Sequence, residues 1–572
     1  LVFSSIIKSV NQINQTMDST ETTMDASTKA SPQSFVRKWG VLFVLGLAIA
    51  IIVIDTTLLN VSISVIIKDL HTNLQALQWV IAAYALALAA LTITGGRLGD
   101  LFGRKKMFML GAVIFAVGSF MASISHSVAF LLIGESIIEG IGAALMLPAT
   151  ASLLVATYKG RERAIAFGIW GGIAAAASAI GPILGGFLTS HYSWRYGFRI
   201  NIVIAAILLI GSVLIKESRD EEEKPTLDWV GVILSSTGLF ALVFGIIEAS
   251  TYGWIFAKST FAIGSFSLPL LGLSVTPVAV GLGIILLASF IFWEKQVERK
   301  GETPLVSMKL FQNNQFTSGA ITSMLVAISF TGLTFTLPVF LQSVQRLDAL
   351  HTGYMLLPMS VSLLVFSPLG VALSKKFTPK RIIQAGLILS ALSFLILRQV
   401  LSESSTSFSL SIPLLIFGMG AGLVFSQVNN LTLSAVSVAQ AGEASGVTNT
   451  LRQVGTSLGA ALLGAVLLSS LTSHLQTGIQ NSPNIPGQLK PVIESSVKQN
   501  TSALEFGNFQ APANVPPQIA NEVTKISKRA TTEANKTALI YAFIFGLIGV
   551  VASVKLPNVR DLERKESLAA AH

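Results

Sequence analysis

The chain has 572 residues, 52% hydrophobic and only 12% charged, with a mean hydropathy of +0.68. A soluble protein of this length carries about twice that fraction of charge, so a water-soluble globular fold is excluded. The net charge of +10 would suit a nucleic-acid binder. The basic residues, however, lie in short loops between apolar runs, the pattern that orients membrane proteins, and nucleic acid is set aside. With no cysteine in the chain, disulfides, thiolate chemistry and cysteine-ligated metals are also excluded.

Residues 1–38 are polar and read as a disordered N-terminal segment, without the apolar region and cleavage site of a signal peptide. Leu1 points to a non-Met start, with Met17 and Met24 as alternative starts, and to a prokaryotic source. Apolar blocks of about 20 residues, the length that crosses a bilayer, then follow one another. The first six are 41–67 with Asp55 near its middle, 76–96, 107–125, 127–157 with Glu135 and Glu139, 164–190 and 200–215. A mixed-charge linker at 216–228 leads to spans 229–248 and 268–293, with 251–267 as a loop between them. After a basic linker come 316–345, 352–374, 382–397, 408–434 and 444–470, the last holding Arg452. Residues 472–536 read as a long polar loop with amphipathic stretches around Val492 and over 519–531, and 537–554 is the final span.

These blocks predict an all-α polytopic membrane protein of about fourteen transmembrane helices. Residues 39–215 form one six-helix half and 303–556 the other, with the linker and two extra helices at 216–302 and a tail at 557–572. The stretch 367–381 is a degraded repeat of 95–106, as expected of a transporter built from internal repeats. Basic clusters at 37–38, 97–106, 159–163, 294–300, 375–381 and 555–565 alternate along the chain, which places them and both termini in the cytoplasm. Arg195 and Arg199 fall on the other side, against the rule.

Between the second and third spans lies GGRLGDLFGRKK, residues 95–106. Its glycines permit a sharp turn, Asp100 is suited to a helix N-terminus, and Arg104 belongs to a cationic cluster. Gly96, Asp100, Gly103 and Arg104 at this spacing resemble the gating loop between the second and third helices of the major facilitator superfamily. Asp55 in IVIDTTLLNVSISV also resembles the first-helix signature of that superfamily's fourteen-span drug:proton antiporters. A third resemblance is the fifth-span pattern Gly168, Gly181-Pro182, Gly185-Gly186, associated with antiport, although one glycine of that pattern is Ala177 here. WRYGFRIN at 194–201 and NTLRQVGTSLGAALLG at 449–464 add two more matching segments.

Three acids stand at membrane depth, where each costs about 2.5–3.5 kcal/mol on insertion scales and marks an ion or substrate pathway. Asp55 is one; the alternative is an acid that pairs with a neighbouring helix to hold the bundle together. Glu135 and Glu139, four residues apart, share a helix face and are expected to hold protons as a pair. Their alternative is a polar helix–helix contact. Related antiporters carry Arg and Gln where this chain has Glu135 and Glu139, and the surplus negative charge suggests a cationic substrate. Arg452 calls for a partner among these acids. The resemblance further implies that the first helix of each three-helix repeat lines a central cavity, which would gather Asp55, Asn60, Glu135, Glu139, Gln427 and Asn430 around one chamber. Phe330, Phe335 and Phe340 either add aromatic surface to it or pack towards the bilayer. No HExxH, GxSxG or Walker sequence occurs, so the expectation is a transporter without cofactor or metal, driven by a proton gradient. The reading is a monomeric, proton-coupled antiporter in the plasma membrane that exports lipophilic, cationic drug-like compounds. Its rivals are a proton-coupled importer or exporter of one metabolite, and a non-transporting sensor or scaffold.

Overall fold

The computed structural model describes residues 32–158, 160–218, 227–263, 266–267, 272–374, 376–436, 441–491, 493 and 516–557. Most of the N-terminal segment, part of the 216–228 linker, much of the polar stretch before the last span and the C-terminal tail lie outside the described residues. Fourteen helices long and apolar enough to cross a membrane are present among those described. They are α1 Pro32–Asp69, α2 Leu74–Phe102, α3 Arg104–Ser123, α4 Val128–Thr157, α5 Gly160–His191, α6 Arg195–Gly211 and α7 Trp229–Tyr252. The remainder are α8 Val275–Arg299, α9 Asn314–Ser343, α10 Ala349–Leu373, α11 Pro379–Val400, α12 Ser407–Leu433, α13 Ala441–Asn481 and α14 Pro517–Ser553. Between α7 and α8 a two-residue hairpin pairs Ala262–Ile263 with Phe266–Ser267.

Helix starts are set by short polar side chains that accept from the otherwise unpaired first-turn N–H groups. Asn73, Asp228, Asn313, Asp348 and Thr378 cap α2, α7, α9, α10 and α11, and Thr406 forms a capping box with Ser409 on α12. Helix α4 is not uniform: Leu132–Glu139 is π-helical, between an α-turn at Val128–Leu131 and an α-helix at Gly140–Thr157. Both glutamates of this span therefore sit on a π-helical stretch rather than on the α-helix assumed from their spacing.

The six helices of each half repeat the same close approaches. Gly111 of α3 leaves room for Gly142 O of α4, and Gly386 of α11 leaves room for Gly420 O of α12. Glycines 181 and 185 of α5 press on Thr57 and Leu58 of α1, as Gly455 and Gly459 of α13 press on Met324 and Ile328 of α9. Small residues at such crossings let backbones approach where lipid supplies no hydrophobic drive between helices. Across the halves, α5 packs on α10 and α2 on α13, so second and fifth helices exchange partners in both directions. The inserted pair α7 and α8 pack on each other, and α7 also covers the α2–α13 seam.

The halves close against each other at the face opposite residues 95–106. Gln342 of α9 donates to Val61 O (2.7 Å) and accepts from Ser64 N (3.1 Å) of α1. Leu350 N of α10 donates to Ser190 Oγ of α5 at 3.1 Å, and Gln78 Nε2 of α2 donates to Ala460 O and Ala461 O of α13 at 3.0 and 2.8 Å. An apolar core joining Leu59, Ile63 and Leu77 to Phe335, Val339 and Leu467 fills this closed face. At the other face, added side chains at Gly168, Gly171 and Gly172 of α5, and at Gly446 of α13, would meet nothing within 4 Å. The halves are thus packed together at the one face and, among the described residues, make no such glycine contacts at the other.

Two expectations change. The thirteenth and fourteenth spans run as continuous helices of 41 and 37 residues, so much of the expected 472–536 loop is helical. Leu471, Leu475 and Ile479 of α13 meet Ile519 and Val523 of α14 in the closed-face core, and that apolar stripe stabilises helix well beyond the membrane-length block. Arg195, an exception to the orientation rule, is charge-paired with Asp69, donates to Ser125 O at 2.6 Å and lies 4.4 Å from the Trp194 ring centre.

Candidate functional site: a carboxyl cluster inside the N-terminal half

Asp55 on α1 and Glu135 and Glu139 on the π-helical part of α4 are all buried, at 2%, 1% and 0% exposure. The residue that joins two of them is Asn201 of α6. Its Nδ2 donates to Asp55 Oδ1 at 2.8 Å and to Glu139 Oε1 at 3.1 Å, so one amide spans both carboxyls. The second oxygens, Asp55 Oδ2 and Glu139 Oε2, have no hydrogen-bond partner of acceptable geometry among the described residues. Neither acid is in an ion pair among them, and a charge buried so is costly unless a proton neutralises it.

Glu135 has its own arrangement. Ser136 Oγ lies 2.7 Å from Val80 O and 2.7 Å from Glu135 Oε2. A hydroxyl has one hydrogen to donate and a backbone carbonyl can only accept. When Ser136 donates to Val80, the bond to Glu135 therefore requires the proton to be on the carboxyl. Tyr84 of α2 is buried beside the cluster, its hydroxyl without a partner among the described residues. Gly118 of α3 allows the approach of Glu139, since a side chain there would strike the Glu139 backbone.

The cluster is enclosed by α1, α2, α3, α4 and α6, within one half, and does not line the space between the halves. This corrects the expected single chamber. Gln427 is turned into the other half, donating to Gly370 O at 2.9 Å, while Asn430 is exposed. Asn60 is buried and donates to Thr56 O of its own helix at 3.3 Å. Arg452, on α13, forms no ion pair with any of the three acids, and its Nε is buried without a partner among the described residues. Phe335 and Phe340 are buried, and Phe330 stacks on Phe417 at 6.1 Å between centroids.

Residues 95–106 are also organised differently from expectation, since they are the adjoining ends of α2 and α3 about Gly103 rather than a loop. Asp100 pairs with Arg104 one turn on, at 3.1 Å, instead of facing a helix N-terminus. That place is taken by Glu217, whose Oε1 accepts from Lys105 N at 2.9 Å. Gly103, at φ +106°, lies so close to the Glu217 carboxyl that a side chain would displace it. Arg97 Nη2 donates to Pro304 O at 3.0 Å, tying this stretch to the segment that enters the second half. In α5, Gly181 and Gly185 face α1, Gly186 faces Ala349 O and Leu350 of α10, and Pro182 O lies against Gly353 of α10. Gly168 and Gly96 make no such tight approach.

Sequence reasoning missed Asn201, Ser136 and Tyr84. The signal for Asn201 was a lone amide heading the uncharged run 202–215, within the very segment that matched the antiporter pattern.

Residues 45–460 match the family model described as Major Facilitator Superfamily. The chain belongs to that superfamily. It is 30% identical over 531 residues to the tetracenomycin C resistance and export protein of Streptomyces glaucescens, covering 93% of each chain. It is 28% identical to the multidrug efflux pump LfrA of Mycolicibacterium smegmatis, covering 92% of this chain and 98% of that one. Among solved structures, a bacterial homologue of the human lysosomal transporter Spinster, inward-facing and unoccupied, aligns with a TM-score of 0.57 at 17% identity. That alignment covers 92% of this chain and 98% of the other, and it shows a shared fold. The facilitator is a multi-pass membrane transporter.

Proposed function

We propose that this facilitator is a proton-coupled antiporter that exports lipophilic compounds across the cytoplasmic membrane of a bacterium. The basic loops and both termini lie in the cytoplasm, which makes the described conformation inward-facing. The observation that carries the reading is the Asp55–Asn201–Glu139 bridge: two buried carboxyls sharing one neutral donor, with no cation to balance them among the described residues. Such a pair exchanges protons more readily than it holds two negative charges. The names of its relatives, an antibiotic export protein and a multidrug efflux pump, support drug-like cargo. The uncompensated negative field that appears on deprotonation favours cationic members of that class.

A contiguous packed path supports coupling of proton and cargo. Asp55 is two and three residues before Thr57 and Leu58, which carry Gly181 and Gly185 of α5, and α5 meets α10 through Gly186. A change of charge at Asp55 is therefore one helix away from the seam that closes the opposite face. A proton moving inward yields about 2.3 kcal/mol per 100 mV, and exporting cargo against a tenfold gradient costs about 1.4 kcal/mol. For a neutral cargo one proton thus suffices for about a tenfold gradient. Exchange for a monovalent cation moves no net charge and draws on the pH gradient alone, about 1.4 kcal/mol per unit. The chain acts as a monomer, both walls of the chamber coming from one polypeptide.

Everted membrane vesicles energised to an acidic interior test the direction. They should accumulate a lipophilic cation such as ethidium, and lose it when an uncoupler is added. Accumulation only in right-side-out vesicles would instead indicate import.

A further inference from the structure

At the closed face a cavity of about 480 Å³ lies between the halves and is open on its outer side, within the range that holds small organic ligands. Its walls come from both halves: Ser64, Lys68 and Thr189 on one side, Gln342, Arg346 and Asp348 on the other. The floor includes Gln342, whose amide bridges to the α1 backbone. Two cationic side chains, one from each half, line the cavity.

The one acid in the lining is already engaged. Asp348 Oδ1 accepts from His351 N at 2.7 Å and lies 2.8 Å from the His351 ring Nδ1. Partial burial pushes its carboxyl up, but the hydrogen bonds and charge of His351 outweigh this and hold it below the usual carboxylate range. Its negative charge is thus directed into the cap of α10 and away from a ligand.

We propose that this cavity binds a small organic polyanion, bearing sulfonate, carboxylate or phosphate groups, and that the occupant holds the two halves in the present conformation. The cationic walls and the hydroxyl of Ser64 recognise the anionic groups. Because the walls belong to different halves, they separate when the chamber opens to this face. A ligand that bridges both walls binds more tightly while they are together, and it favours that state by the difference between its two affinities. The same chemistry is available from the phosphate headgroup of an anionic lipid.

The test uses pyrenetetrasulfonate and the full-length transporter in phosphatidylcholine nanodiscs, with binding read by fluorescence anisotropy. Saturable binding is expected, weakened about tenfold in the double variant Lys68→Gln, Arg346→Gly. Glycine suits the positive φ of 60° at Arg346, and both side chains are exposed. Lys258→Gln, an exposed cation elsewhere, should bind as the parent does. In proteoliposomes, the probe applied at this face should slow transport by the parent and leave the double variant unaffected. Equal binding by the double variant would overturn the site, and binding without slowing would overturn the locking role. Nanodiscs containing phosphatidylglycerol separate the sources: weaker probe binding there assigns the cavity to lipid phosphate, unchanged binding to a soluble anion.

Discussion

Replacing Asn201 by Leu removes the only donor shared by Asp55 and Glu139 among the described residues and leaves the side-chain volume nearly constant. A hydrogen bond to a charged group contributes about 1.5–3 kcal/mol, so the fully deprotonated pair loses about 3–6 kcal/mol with both bonds gone. The neutral pair loses about 1–3 kcal/mol, since hydrogen bonds between uncharged groups contribute about 0.5–1.5 kcal/mol each. The difference of about 2–3 kcal/mol lowers the deprotonated population by about two powers of ten. The cluster should then remain protonated when cargo binds. The assay is proton release on adding substrate to detergent-purified protein in weak buffer, followed with a pH indicator. The parent should release protons at neutral pH, and Asn201→Leu should release almost none while still binding substrate. Release of equal size at the same pH from the variant would show that Asn201 does not govern the pair, and the reasoning would fail.

Gly353→Val should strike Pro182 O across the α5–α10 seam, at a cost of about 1–3 kcal/mol for overpacking, and favour opening at that face. Transport should fall, while a cysteine introduced at Ser64 should label faster with an impermeant maleimide than in the parent. Glu217→Ala removes the carboxylate at the start of α3 and should lower stability by about 1 kcal/mol, read as a lower melting temperature in detergent. Asp100→Asn, which breaks only a part-exposed pair with Arg104, should have a smaller effect in the same measurement.

The membrane helices were legible because uncharged blocks of bilayer length admit few other readings. Their true ends were not, where tertiary packing prolongs them: α13 and α14 continue because Leu475 and Ile479 pack on Ile519 and Val523, and only the amphipathic stretch at 519–531 hinted at this. The three acids were legible through the cost of placing charge in lipid. Their surroundings were not, since helical spacing says which residues share a face but not which neighbour that face meets. Glu135 and Glu139 were read on a regular helix that is π-helical here, which no local sequence feature announced. Asp100 and Glu217 show the same limit: either carboxylate could cap α3, and the chain path beyond α6 decides for Glu217. Arg452 was matched to the acids by charge alone, yet it stands on a helix of the other half.

The central claim is that protons held by Asp55 and Glu139 are exchanged for cargo. It is tested most directly by counting protons released per substrate bound, in the parent and in Asp55→Asn, Glu139→Gln. The account predicts at least one proton per substrate for the parent and none for the double variant, with binding retained. Undiminished release from the double variant would contradict it.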